Sequence, residues 1–180
     1  MLPRYCIYTQ VFRDRVPGGN DQKEIARWSS AIGPSFNNMH HYCWGLMNTN
    51  RALLLVRDQR WREFHLKYSI AEFDYVIRSA TPDFRLLPEI LTKKGENLIR
   101  LDRGPDGIVE LQRAVELKPD YWPPYAALSD YYKNIDDFAK AREWLEAGLS
   151  VSPNTKALMR RLAELNSPPN KRKAEPSAER

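Results

Sequence analysis

The sequence predicts an all-α protein built from short helices paired as antiparallel hairpins, preceded by an irregular N-terminal arm. Three observations predict it. Proline outnumbers glycine by 13 to 8, and proline sits comfortably in short connections and in the first turn of a helix. Apolar residues recur at three- and four-residue spacing from Ile25 onward. Beyond Pro82, one segment maps onto the next at a 34-residue offset, the mark of an internal repeat.

Composition bounds the function without identifying it. The 180 residues, 42% of them hydrophobic, suffice for a closed core. The 28 basic and 23 acidic residues leave a net charge of +5, too thin a surplus to indicate nucleic acid, and none is expected as a partner. The longest apolar run, Ala52 to Val56, is far short of the roughly 18 residues of a membrane span. The opening Met1-Leu2-Pro3-Arg4-Tyr5-Cys6 lacks the apolar stretch of a signal peptide. The expected location is therefore cytoplasmic by default, or periplasmic or secreted if a leader was removed.

Residues 1–34 read as an arm followed by a short helix. The turn cluster Pro17-Gly18-Gly19-Asn20-Asp21 closes an extended arm. Asp21 then caps a helix that carries Ile25, Trp28 and Ile32 on one side and stops at Gly33-Pro34. Residues 35–87 read as a divergent helical hairpin. Ser35 caps its first helix, which runs to about Val56, and Asp58 starts the second. That second helix carries two stripes: Trp61, Phe64 or His65, Tyr68, Ala71 or Glu72, and Tyr75 on one side, and Leu66, Ile70, Phe73 and Ile77 on another. Two stripes imply burial against neighbours on more than one side. Thr81-Pro82-Asp83 breaks the helix.

The repeat occupies residues 88–166. The 34-residue offset aligns Pro119 with Pro153, Leu91 with Tyr125, Gly95 with Ser129, Leu98 with Tyr132, Gly107 with Ala141, Leu111 with Leu145 and Ala114 with Gly148. Small residues let two helices approach, and large ones fill the space between them. On this period, this alternation and the proline after each second helix, residues 88–155 resemble two tetratricopeptide repeats, and 156–165 resemble the extra helix that closes such arrays. Two departures stand out: Lys94 occupies a usually apolar place, and Gly107 a place where alanine is usual. The resemblance implies a short right-handed superhelical array. Residues 167–180, with no large apolar side chain, read as a disordered tail.

Repeats of this family bind a peptide or a partner helix in a concave groove lined by the first helix of each unit. The resemblance places Thr92 and Glu96, Ala126 and Asp130, and Arg160 and Glu164 on that groove. Only Arg160 suits the carboxylate grip of chaperone-binding members, whereas the column Glu96, Asp130, Glu164 suits a basic or polar ligand. The resulting expectation is a non-catalytic protein- or peptide-binding scaffold without a cofactor. No phosphate loop, nucleophile elbow or H-E-x-x-H motif occurs.

A second reading centres on Met39-His40-His41-Tyr42-Cys43-Trp44. His40 and Cys43, three residues apart, project from one helical face. With His41 and Cys6 they offer imidazole and thiolate ligands to zinc or copper, or a redox-linked site. The alternatives are that Cys6 and Cys43 form a disulfide pinning the arm, or that both stay thiols in a reducing compartment.

Overall fold

The computed structural model describes residues 2–55, 57–81 and 83–167. Among them are eight α-helices, two 3₁₀ turns and no strand. The helices are α1 (Gln22–Ile32), α2 (Met39–Leu54), α3 (Gln59–Ser79), α4 (Leu87–Arg100), α5 (Gly104–Leu117), α6 (Pro123–Asn134), α7 (Phe138–Val151) and α8 (Lys156–Asn166). The chain forms two compact units, one running through Glu110 and the other starting at Leu111.

Local chemistry sets the helix ends. The Asp21 carboxylate accepts from the backbone N–H groups of Lys23 and Glu24, and Gly33, at φ 79°, ends α1 in a conformation open to glycine. Asp58 accepts from Trp61 N–H at the start of α3. Ser35 does not cap the next helix as expected. Pro34–Asn38 forms a 3₁₀ turn in which Phe36 N–H bonds Gly33 O, and α2 starts only at Met39. The arm also departs from an extended segment. Arg4–Tyr8 is a 3₁₀ turn that buries Tyr5, Cys6 and Tyr8, because Cys6 and Cys43 are joined, with Cα atoms 5.7 Å apart.

In the first unit α3 packs against both α2 and α4. Gly45 on α2 lets the Phe73 ring lie where a Cβ would stand. At the centre is a buried polar knot. Asn97 Nδ2 donates to Thr49 Oγ1 (2.7 Å) and Ser69 Oγ (2.9 Å), and Ser69 Oγ donates to Gly45 O (2.7 Å). Arg100 donates to Asn97 Oδ1 (3.0 Å). Three helices are thereby tied by groups that would be costly to bury alone. The departures at Lys94 and Gly107 are explained here. Lys94 Nζ bridges Asp74 on α3 (2.7 Å) and Glu110 on α5 (2.6 Å), while a Cβ on Gly107 would stand 2.8 Å from Gly95 O.

The second unit has an apolar centre of Tyr125, Ala126, Ala141, Leu145, Leu158 and Leu165. Pro123 and Pro124 open α6, where a missing N–H costs nothing, and Tyr125 is buried behind them. A Cβ on Gly148 would meet Leu158 Cδ1 at 2.8 Å and Tyr125 Cβ at 3.0 Å, so the aligned small position marks a real close approach. The tail expected to be disordered lies, from residue 168 on, outside the described residues.

Candidate partner-binding surfaces

The six groove positions have three different fates. Thr92 is fully buried, its Oγ1 donating to Pro88 O (2.7 Å), and Ala126 belongs to the apolar centre of the second unit. Both act in packing, and neither offers a side chain to a ligand. The acids are each matched by cations of their own unit. Glu96 lies 3.2 Å from Lys93 and 3.6 Å from Arg100 on its own helix. Asp130 accepts from Arg161 Nε (3.1 Å) and Nη2 (3.0 Å), and Glu164 lies 3.5 Å from Arg160 and 3.9 Å from Lys133.

In the second unit the structure therefore brings together Asp130, Arg160 and Glu164, along with two cations the sequence reading passed over, Lys133 and Arg161. The face of α6 and α8 that carries them is one of mixed charge. Asp130, with its side chain 48% exposed, keeps lone pairs open to a further donor, and Arg160 projects into solvent. The contribution of Arg161 could not be told from that of Arg160 by spacing, since adjacent helical positions point about 100° apart and the crossing of α8 over α6 decides which one reaches Asp130.

The metal reading of Cys6, His40, His41 and Cys43 is not favoured, because the two sulfurs are paired with each other. Sulfurs bonded to each other are not thiolate ligands. The histidines take structural partners instead. His40 Nδ1 bonds Asn37 O (3.0 Å), which makes Nδ1 the protonated nitrogen. Burial and the neighbouring His41 pull the His40 pKa below its ordinary 6.5. His41 Nδ1 meets Glu72 Oε2 at 2.6 Å, and its ring stacks on Tyr75 with centroids 3.8 Å apart. Beside the disulfide, Tyr42 Oη donates to Glu89 Oε1 (2.6 Å). Burial, then the Glu89 carboxylate, raise the Tyr5 phenol far above its ordinary 10.0. No group of three or more metal-ligating side chains forms among the described residues.

Of the two stripes on α3, only one is covered. Leu66, Ile70 and Phe73 are buried, together with Val76, and Ile77 is half-buried, whereas Trp61, Phe64, Tyr68 and Tyr75 are each between 44% and 54% exposed.

No protein-family profile matches the chain. Over 69 residues it is 28% identical to a protein described as "Protein STIP1 homolog" from Dictyostelium discoideum, a tetratricopeptide-containing protein, the matched stretch being 38% of this chain and 12% of that protein. The chain thus spans only a small part of the relative's length. The match and the all-helical fold are compatible with a tetratricopeptide-like chain, and no described helix is long and apolar enough to cross a membrane.

Proposed function

We propose that this protein is a non-catalytic scaffold that binds a protein or peptide through a tetratricopeptide-like array of helical hairpins. The observation that carries the reading is the coincidence of the 34-residue offset with helix packing. Positions aligned as small, such as Gly107 and Gly148, have no room for a Cβ beside their helical neighbours. Distant similarity to a tetratricopeptide-containing protein supports the same reading. An array of this kind keeps its core while its exposed residues vary, which suits recognition rather than chemistry.

Ligand contacts are assigned within each unit by itself: to Glu96 on α4 in the first, and to Asp130, Arg160 and Glu164 on α6 and α8 in the second. A basic or polar segment binds by exchanging its own cations for Lys93 and Arg100, Arg161, and Lys133, so charge decides which partner is chosen more than how tightly it is held. The buried disulfide favours an oxidising compartment over the cytoplasm expected by default.

The test is affinity capture from native extract, kept oxidising, with the intact chain and with Glu96→Gln/Asp130→Asn/Glu164→Gln. The variant is expected to keep its helical circular dichroism and to lose captured partners at least threefold, with a weaker salt dependence, because ion pairs across an aqueous groove are screened over about 8–10 Å. Unchanged capture and salt dependence would remove these acids from the binding surface.

A further inference from the structure

We propose that the outward face of α3 is a second docking surface, and that its occupant is an acidic amphipathic helix of a partner protein. Trp61, Phe64, Tyr68, Ala71 and Tyr75 follow i, i+3, i+7, i+10, i+14, the a/d seam by which one helix receives another. The seam runs for about 21 Å at 1.5 Å per residue, opposite the face that Leu66, Phe73 and Val76 bury in the unit's own core.

The surface is pre-set. The Trp61 and Phe64 rings meet edge to face with centroids 5.6 Å apart, and Phe64 lies 6.2 Å from Tyr68. The charge of the nearby Glu72 carboxylate, and then its hydrogen-bonding capacity, raise the Tyr68 pKa above its ordinary 10.0. Side chains already held in place lose little entropy when a partner covers them.

Charge beside the seam selects the occupant. The carboxylates of α3 are all engaged within the unit: Glu63 by Lys67 (3.4 Å), Glu72 by His41 (2.6 Å) and Asp74 by Lys94 (2.7 Å). The Asp58 carboxylate accepts from Trp61 N–H. Arg57 and Arg60 are exposed and make no ion pair among the described residues. Arg60 and Lys67 lie seven residues apart on one flank of the seam, where a helix with glutamates beside its apolar stripe would meet them. A second copy docked through this same face would bring the same unspent arginines and α3 carboxylates that are already engaged. An anionic bilayer would press its headgroups against Glu63 and Glu72 along a seam one side chain wide.

The experiment uses the full chain with its disulfide intact and two labelled 21-residue helical peptides, each with leucines at a and d positions and flanked by glutamate in one and lysine in the other. Fluorescence anisotropy should show the glutamate peptide binding at least tenfold more tightly. Phe64→Ser should weaken that binding tenfold or more at unchanged circular dichroism, and Arg57→Glu/Arg60→Glu should reverse the preference between peptides. Four results would overturn the proposal: no binding of the glutamate peptide, equal binding of both peptides, recruitment to phosphatidylserine vesicles that Phe64→Ser abolishes, or self-association that Phe64→Ser abolishes. Should Phe64→Ser fail to fold, the preference of the double arginine variant alone decides.

Discussion

The two units of this chain reach stability by different routes. In the unit that begins at Leu111, the centre is a row of repeat positions, Tyr125, Ala126, Ala141, Leu145 and Leu158, joined by non-directional burial between helices adjacent in sequence. The unit that ends at Glu110 buries apolar residues too, Met39, Leu66, Phe73 and Ile90 among them, and adds directional links long in sequence: Cys6 to Cys43, Asn97 to Thr49, Tyr42 to Glu89 and Lys94 to Asp74. A repeat can trade one apolar side chain for another of like volume. A unit tied by specific bonds cannot, because each partner left behind is a buried polar group without its match.

The sharpest way to break the contrast is to open the disulfide. In the chain-entropy account a bridge spanning 37 residues contributes roughly 4 kcal/mol. Cys6→Ser/Cys43→Ser should therefore lower the melting of the first unit by on the order of 15 °C. Calorimetry of the variant beside the wild-type protein checks the shift. Thiol titration of unfolded wild-type protein should find no free thiol before reduction.

Smaller effects sharpen the same comparison. Leu145→Ala leaves a cavity and should cost about 3 kcal/mol, whereas Leu145→Met, which conserves volume, should cost under about 1 kcal/mol. Asn97→Ala and the similarly sized Asn97→Leu should both cost about 2 kcal/mol, since either strips Thr49 and Ser69 of their donor. Urea unfolding of the four variants tests whether shape suffices in one unit and fails in the other. Near-equal costs for Asn97→Leu and Leu145→Met would erase the distinction.

The least effect is expected at neutral pH from the Lys94 bridge, and it has a sign. Burial lowers the lysine pKa, but the hydrogen bonds and charges of Asp74 and Glu110 outweigh it and leave the pKa above the ordinary 10.5. A lysine raised in the folded state stabilises fully below its unfolded value and ceases to do so as pH rises through its folded value. The stability difference between wild type and Lys94→Met should hold steady from neutral pH to about 10 and shrink above it, as read from urea midpoints. A difference that grows with alkalinity would contradict the bridge.

How much of this was legible in the sequence follows the same division. The caps at Asp21 and Asp58 and the stop at Gly33 were readable, because each depends on neighbours within a turn or two. The close approaches at Gly107 and Gly148 were readable from the repeat offset alone, since stacked repeats place equivalent residues in equivalent contacts. The groove was read less well. The resemblance placed Thr92 and Ala126 on the ligand face, and the packing of neighbouring helices buried both.

By itself, then, the sequence determined an all-helical chain, the ends of α1, the start of α3 and the two apolar stripes of α3, because helical period and capping are local properties of a dozen residues. Only the tertiary structure decided that Cys6 bonds Cys43 rather than a metal, that Lys94 replaces an apolar contact with a two-carboxylate bridge, that Arg161 rather than Arg160 reaches Asp130, and which α3 stripe stays in water. Each of those outcomes depends on the approach of residues well separated in sequence, from 16 positions for Lys94 and Glu110 to 37 for the two cysteines, set by how the helices cross, and no local pattern carries that geometry.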